Sequence, residues 1–214
     1  RFDRRDEGIY CVSCHFLKGK MNGPYDLVAP PHPTYRNPDY VRSSFCGSCH
    51  QKTYKEWKGT GVEDTCQNCH MPRKKDRLTD KLPLSLLHKK KWVGNHKFLH
   101  GDLTEKDIIL EADFKDKLFY FNLLNKTVPH NVPSADNGDP RLYLYVTFLN
   151  EAGEQVDQTK EILAPQQDTA LPFNKKVSFS YRLFGLVAQA NIVLKYQPAW
   201  SKEKDLVWEK TIRP

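Results

Sequence analysis

The chain has 214 residues, 39% hydrophobic, 12% aromatic and 28% charged, with a formal net charge of +7. That size allows one large domain or two small ones, and the aromatic and aliphatic content excludes global disorder. No apolar run approaches the ~18–20 residues that cross a bilayer as a helix, so an integral membrane helix is excluded. The sequence starts Arg1-Phe2-Asp3-Arg4-Arg5 without an apolar leader, so any targeting segment is expected to have been removed or to lie outside it. Charge is uneven: residues 1–104 hold 19 Lys+Arg against 11 Asp+Glu, a net of +8, and residues 105–214 hold 14 against 15, a net of −1. All six Cys, seven of the eight His and both Met fall in the first part, which predicts two chemically different regions, 1–104 and 105–214.

From the N-terminus, the first motif is Cys11-Val12-Ser13-Cys14-His15. Two thiols two residues apart can add to both vinyl groups on one porphyrin edge, and the His that follows then lies under the iron as proximal ligand. Met21 is the one Met placed to serve as a distal ligand, for this first haem, where it would raise the potential relative to a second His. Asn22-Gly23-Pro24 and Pro30-Pro31-His32-Pro33 read as extended loop. His32, fixed by prolines, is a candidate distal ligand delivered from that loop, the alternative being an exposed loop His.

The second motif is Cys46-Gly47-Ser48-Cys49-His50. Ser44 is a candidate cap for a helix running through Gln51–Trp57 to Gly59, on which His50, Tyr54 and Trp57 share one face. An imidazole beside two aromatics suits a porphyrin wall; an ordinary buried aromatic stripe is the alternative. The third motif is Cys66-Gln67-Asn68-Cys69-His70. Met71 directly follows His70 and cannot reach the opposite face of that haem.

Zinc competes for these cysteines, since Cys46xxCys49 and Cys66xxCys69 are 16 residues apart, inside the zinc-ribbon window. A ribbon leaves Cys11 and Cys14 without a second pair and does not require His after each CxxC. Nor does a disulfide framework or a thioredoxin-like site explain those His residues. With 8 His in 214 residues, His after all three pairs by chance has odds of roughly 1 in 20,000. Three covalent haem c groups are therefore predicted, on Cys11, Cys14, Cys46, Cys49, Cys66 and Cys69, with His15, His50 and His70 on iron. About 100 residues with little conventional core fit a region whose core is cofactor.

Arg73-Lys74-Lys75 and Lys89-Lys90-Lys91 are candidates to pair with haem propionates or to face an acidic partner, the alternative being solvated surface charge. Counting each oxidised haem as about −1 and each reduced haem as about −2 takes the first part from +8 to about +5 or about +2. Nucleic-acid binding is not needed to explain the basicity. His88 is the weakest distal candidate. His96 and His100, at i and i+4, would share a face on a helical turn, so that both could ligate different haems or one could support the other, the alternative being solvated or packing His. Beyond 105 the period becomes two. Leu142–Phe148, Val177–Leu183 and Ile192–Tyr196 alternate, with further strands at 108–112, 118–124, 158–163 and 206–212. Turn signals at Asp136-Asn137-Gly138-Asp139-Pro140 and Glu151-Ala152-Gly153-Glu154 separate them. Seven short strands predict an antiparallel β-sandwich, giving a mixed fold overall. His130, between Pro129 and Pro133, is its one candidate iron ligand. No nucleophile–base pair or phosphate loop is present, so no catalytic residue is assigned.

On these motifs the chain resembles the multihaem c-type cytochromes with a C-terminal β-sandwich domain. His96-Lys97-Phe98-Leu99-His100-Gly101 looks like that family's ligand-bearing segment before the β-domain. Asn125-Lys126-Thr127-Val128-Pro129-His130-Asn131-Val132-Pro133 is similar to its Asn-x-x-x-x-His-x-x-Pro entry into the sandwich. The resemblance implies export and haem attachment outside the cytoplasm, hence a periplasmic, cell-surface or extracellular site. It also implies electron transfer with redox proteins or neighbouring cytochrome chains, and relatives often carry more haems upstream. Two rivals follow. One is a haem enzyme, an oxyanion reductase or hydroxylamine-type oxidase, which needs one open axial site. The other is a subunit of a cytochrome filament, homo-oligomer or larger redox complex. Five His outside the motifs for three distal positions favour bis-histidine, six-coordinate iron.

Overall fold

The computed structural model describes residues 9–27, 32–79, 81–98 and 101–214. In chain order the elements are α1 (Cys11–His15), β1 (Phe16–Leu17), β2 (Lys20–Gly23), β3 (Tyr35–Arg36), α2 (Ser43–Cys46), α3 (Gln51–Lys58), α4 (Cys66–His70), β4 (Arg73–Asp76), α5 (Leu84–Leu87) and β5 (Lys91–Gly94). Seven longer strands follow: β6 (Ile108–Lys115), β7 (Leu118–Asn125), β8 (Arg141–Leu149), β9 (Gln155–Leu163), β10 (Lys176–Arg182), β11 (Gln189–Gln197) and β12 (Asp205–Ile212). No helix among the described residues is long and apolar enough to cross a membrane. The chain divides into two compact units, Arg1–Ser48 with Glu63–His100, and Cys49–Val62 with Gly101–Pro214. The division falls inside the second Cys-x-x-Cys-His motif, and α3 belongs with the strands.

The first unit is built from single turns and short ribbons. β1–β2 is an antiparallel pair, and β3 adds to β2 in parallel. β4 and β5 pair with Lys75 opposite Trp92 and Asp76 opposite Lys91. This register places Arg73, Lys74, Lys75 and Lys91 on one ribbon, with Lys89 and Lys90 just before it. Among the described residues of this unit only Gly23, Ser43 and Ser85 are buried. Among the described residues, 11 of the 17 exposed large hydrophobic side chains lie between Ile9 and Phe98. Leu82, Leu87 and Ile9 are each more than 70% exposed. Apolar surface that a core would hide is instead presented outward.

The second unit carries the hydrophobic core. β10-β7-β6 form a three-stranded sheet and β12-β11-β8-β9 a four-stranded one, with every pairing antiparallel. On β7, Phe119, Phe121 and Leu123 point inward, while on β8 Leu142, Leu144, Val146 and Phe148 do so, as period-two alternation requires. Phe119 of one sheet meets Phe148 of the other edge to face at 5.4 Å. Trp208 closes the layer, its Nε1 donating to the Ile108 carbonyl at 3.0 Å. Burying side chains of this size contributes about 1.5–3 kcal/mol each.

Candidate haem centre

α1 is one helical turn made of the first motif. Cys11 is exposed and Cys14 half-buried, and three residues of separation put both thiols on one face. The His15 Nδ1 lies 2.7 Å from the Asn22 carbonyl. A carbonyl only accepts, so Nδ1 holds the proton and Nε2 the lone pair, the tautomer that ligates metal. Gly23 allows a close approach of Thr34 rather than of His15. A Cβ there would stand 3.2 Å from Thr34 Cγ2 and 4.0 Å from His15 Nδ1. Tyr40 stacks on the imidazole at 5.1 Å and 17°, and its hydroxyl donates to the Cys14 carbonyl. Burial, and then the Cys14 thiol, push the Tyr40 hydroxyl above its ordinary pKa.

The His96 ring centroid lies 5.9 Å from that of His15. The two rings are tilted by 42°, and the sequence does not reveal this proximity. His96 does not sit on a helical turn, however. Residues 96 and 97 form a turn, the Lys97 N–H donates to Asn95 Oδ1 at 2.9 Å, and Phe98 has φ 48°. A non-glycine residue in the left-handed region cannot continue an α-helix. His100 lies outside the described residues. Met21 is half-buried on β2, and His32 is exposed two residues before Thr34, which bridges to Leu27.

The second motif is the end of a helix rather than the start of a long one. α2 stops at Cys46, residues 47–49 turn, and α3 begins at Gln51. Ser44 does not cap this helix. It is exposed and lies at the start of α2, a separate turn. Its neighbour Ser43 is buried and accepts from the Cys66 N–H at 3.0 Å. The cap of α3 comes from far along the chain. The Asp136 carboxylate accepts from the Lys52 N–H at 2.7 Å and from the Thr53 N–H and Oγ1 at 3.3 and 2.9 Å. Burial would raise the Asp136 pKa, but these hydrogen bonds and His50 outweigh it and hold the carboxyl below its usual range. The same carboxylate stands 3.8 Å from His50 Nδ1. Tyr54 and Trp57 stack on α3 at 5.7 Å.

The third motif is α4, capped by Thr65. Gln67 donates to the carbonyls of Arg42 and Tyr40, and with the Ser43 bond this ties α4 to α2. The first thiols of the second and third motifs therefore meet. Their hydrogen bond, together with burial, pushes Cys46 up, while the same bond draws Cys66 down. Among the described residues no three His, Cys, Asp or Glu side chains gather as a metal site, so the four ribbon cysteines do not converge as zinc would require. The Met71 side chain lies against Gly94 of β5, and His88 ends α5.

His130 is presented by a loop that Asn125 organises from inside the second unit. Asn125 is 0% exposed, and its Nδ2 donates to the carbonyls of Val128 and His130 at 2.9 and 2.7 Å. Its Oδ1 accepts from the Val128 N–H at 3.1 Å. His130 Nδ1 lies 2.8 Å from the Asn131 carbonyl, which fixes the same tautomer as at His15. Glu56 of α3 accepts from the Asn131 N–H and Ser134 Oγ, clasping this loop to the helix. Sequence shows Asn125 only as the first residue of a spaced pattern, and Asp136 only as a turn former.

These residues fit covalent porphyrin. Cys11 with Cys14 and Cys66 with Cys69 each lie on one helical turn with the His next in sequence, Cys46 ends α2 with Cys49 in the turn that follows, and large apolar side chains are exposed in this part of the chain. No protein-family model matches the chain, and no curated protein matches it. Among solved structures it is similar to a penta-heme cytochrome c552 from Thermochromatium tepidum, with a TM-score of 0.57 and 17% identity. The match covers 100% of this chain and 66% of that one, so this chain spans just under two thirds of that cytochrome. What the two share is a fold.

Proposed function

We propose that this chain is a multihaem c-type cytochrome that carries three covalently attached haems and passes electrons between redox partners. The observation that carries the reading is the make-up of residues 9–98. They hold three Cys-x-x-Cys-His turns, bury no large apolar side chain among those described, and expose 11. Haem iron, when bound, supplies one-electron redox chemistry. Cys11 with Cys14, Cys46 with Cys49, and Cys66 with Cys69 would hold the porphyrin edges through thioether bonds. His15, His50 and His70 would ligate from one side. His96 is the residue for the far side of the iron bound by His15, given their separation. His32, His100 and His130 supply the remaining distal candidates.

Cys46 and Cys66, which lie close together, would each hold one porphyrin through a thioether bond. Arg73, Lys75 and Lys91 on the β4–β5 ribbon offer cations to propionates or to an acidic partner. The second unit serves as scaffold and presents His130. Thioether attachment implies maturation outside the cytoplasm. Intact mass under denaturing conditions tests the reading. The expected mass exceeds that of the polypeptide by about 1.85 kDa, or about 616 Da at each motif. A mass equal to the bare polypeptide, or bound zinc, would overturn it.

A further inference from the structure

The imidazoles of the first and second motifs have different neighbours. His15 donates to a neutral carbonyl, that of Asn22, at 2.7 Å. His50 faces a carboxylate, with Asp136 Oδ2 at 3.8 Å from its Nδ1. That distance is beyond a direct hydrogen bond, so Asp136 acts on His50 as a charge rather than as an acceptor. The carboxylate is not a loose surface group. Its side chain is 11% exposed. Both its oxygens are held by the first turn of α3, through the N–H groups of Lys52 and Thr53 and the Thr53 hydroxyl. The Thr53 hydroxyl is also bonded to Ser134 at 2.9 Å, which pins the loop carrying Asp136 from a second point. His50 itself is the residue just before α3. One carboxylate thus sets where the helix starts, and so where His50 stands, and fixes a negative charge beside its ring.

A charge held there by a preformed network interacts strongly, because the surroundings do not reorganise to screen it. A fixed negative charge beside the ligating imidazole stabilises ferric over ferrous iron. We propose that Asp136 is the positioning residue for His50 and that its charge lowers the potential of the iron that His50 ligates below that of the iron ligated by His15. This rests on the haem reading of the second motif. It gives electrons a preferred direction between two of the sites.

The test is a spectroelectrochemical titration of the haem-loaded full chain, compared with Asp136→Asn, Asp136→Ser and Thr53→Val. Asn is neutral and close in shape and keeps one of the two accepting oxygens, and Ser keeps a hydroxyl, so both remove the charge while retaining part of the hydrogen bonding. In each, one of the three midpoints should rise, with about a tenfold higher reduced-to-oxidised ratio at fixed ambient potential, which is about 59 mV for one electron. The other two midpoints should not move. Thr53→Val keeps the charge and loses one capping bond, so it should leave all three nearly unchanged. If neither neutral variant shifts a midpoint, if Thr53→Val shifts the same one as far, or if neither neutral variant holds three haems, Asp136 is only structural and the proposal fails. A wild-type chain whose intact mass lacks haem would sink the haem reading itself. Three haems with unmoved midpoints would sink only the role of Asp136.

Discussion

At the scale of single residues, the side chains that prepare the site are mostly not those that would touch iron. Asn125 is the clearest case. It is fully buried and polar, and it spends its amide on the backbone of the loop that ends in His130. Asn125→Ala would leave two carbonyls and one N–H without that partner, and each unsatisfied buried group costs about 1–3 kcal/mol. We expect a loss of at least about 2 kcal/mol in urea unfolding of the full chain. Where His130 ligates, part of one haem should also become high-spin. A variant as stable as the wild type would show that the loop is held by other means. The sequence displays Asn125 and His130 at their spacing but not the reason for it, because the reason is three hydrogen bonds inside a folded unit. His15 and His96 illustrate the same limit. Each is legible as a candidate, while their 5.9 Å approach depends on tertiary structure.

At the scale of elements, local patterns are readable where one face meets a core and misleading where a partner is distant. The seven strands follow from alternation because β7, β8 and β11 each bury every second residue against the opposite sheet. The helix after the second motif does not follow from its local cap. Ser44 has the right chemistry, yet the chain breaks after Cys46, and α3 takes its cap from Asp136, 84 residues away from Lys52. The neighbouring serines offer a direct comparison. Ser43→Ala removes the acceptor of the Cys66 N–H and loosens α2 from α4, which should cost about 1 kcal/mol or more. Ser44→Ala should change stability by less than about 0.5 kcal/mol. Thermal unfolding of the two variants distinguishes the cases, and the reverse order would restore Ser44 as the cap. The turn at His96 is a further departure, since a helical i, i+4 reading takes no account of Phe98 in the left-handed region.

At the scale of the whole molecule, the chain combines two ways of building a stable unit. Residues 101–214 bury aliphatic and aromatic side chains between two sheets. Residues 9–98 bury almost nothing among those described, and they display apolar side chains around three Cys-x-x-Cys-His turns. The asymmetry of cysteine, histidine and charge along the sequence points to a boundary near residue 104, whereas the compact units place Cys49–Val62 with Gly101–Pro214, a grouping that only tertiary contacts reveal. A penta-heme cytochrome shares the fold at 17% identity. On the proposed reading, the supply of His beside the three motifs would fill both axial positions of each iron, which would leave electron transfer rather than substrate chemistry. The most direct measurement is the optical spectrum of the dithionite-reduced chain, in its native assembly, with and without carbon monoxide. The expected result is a low-spin c-type spectrum that carbon monoxide leaves unchanged. A carbon monoxide adduct at one haem in three would reveal an open axial site and contradict the electron-transfer reading, and the absence of any haem absorption would contradict all of it.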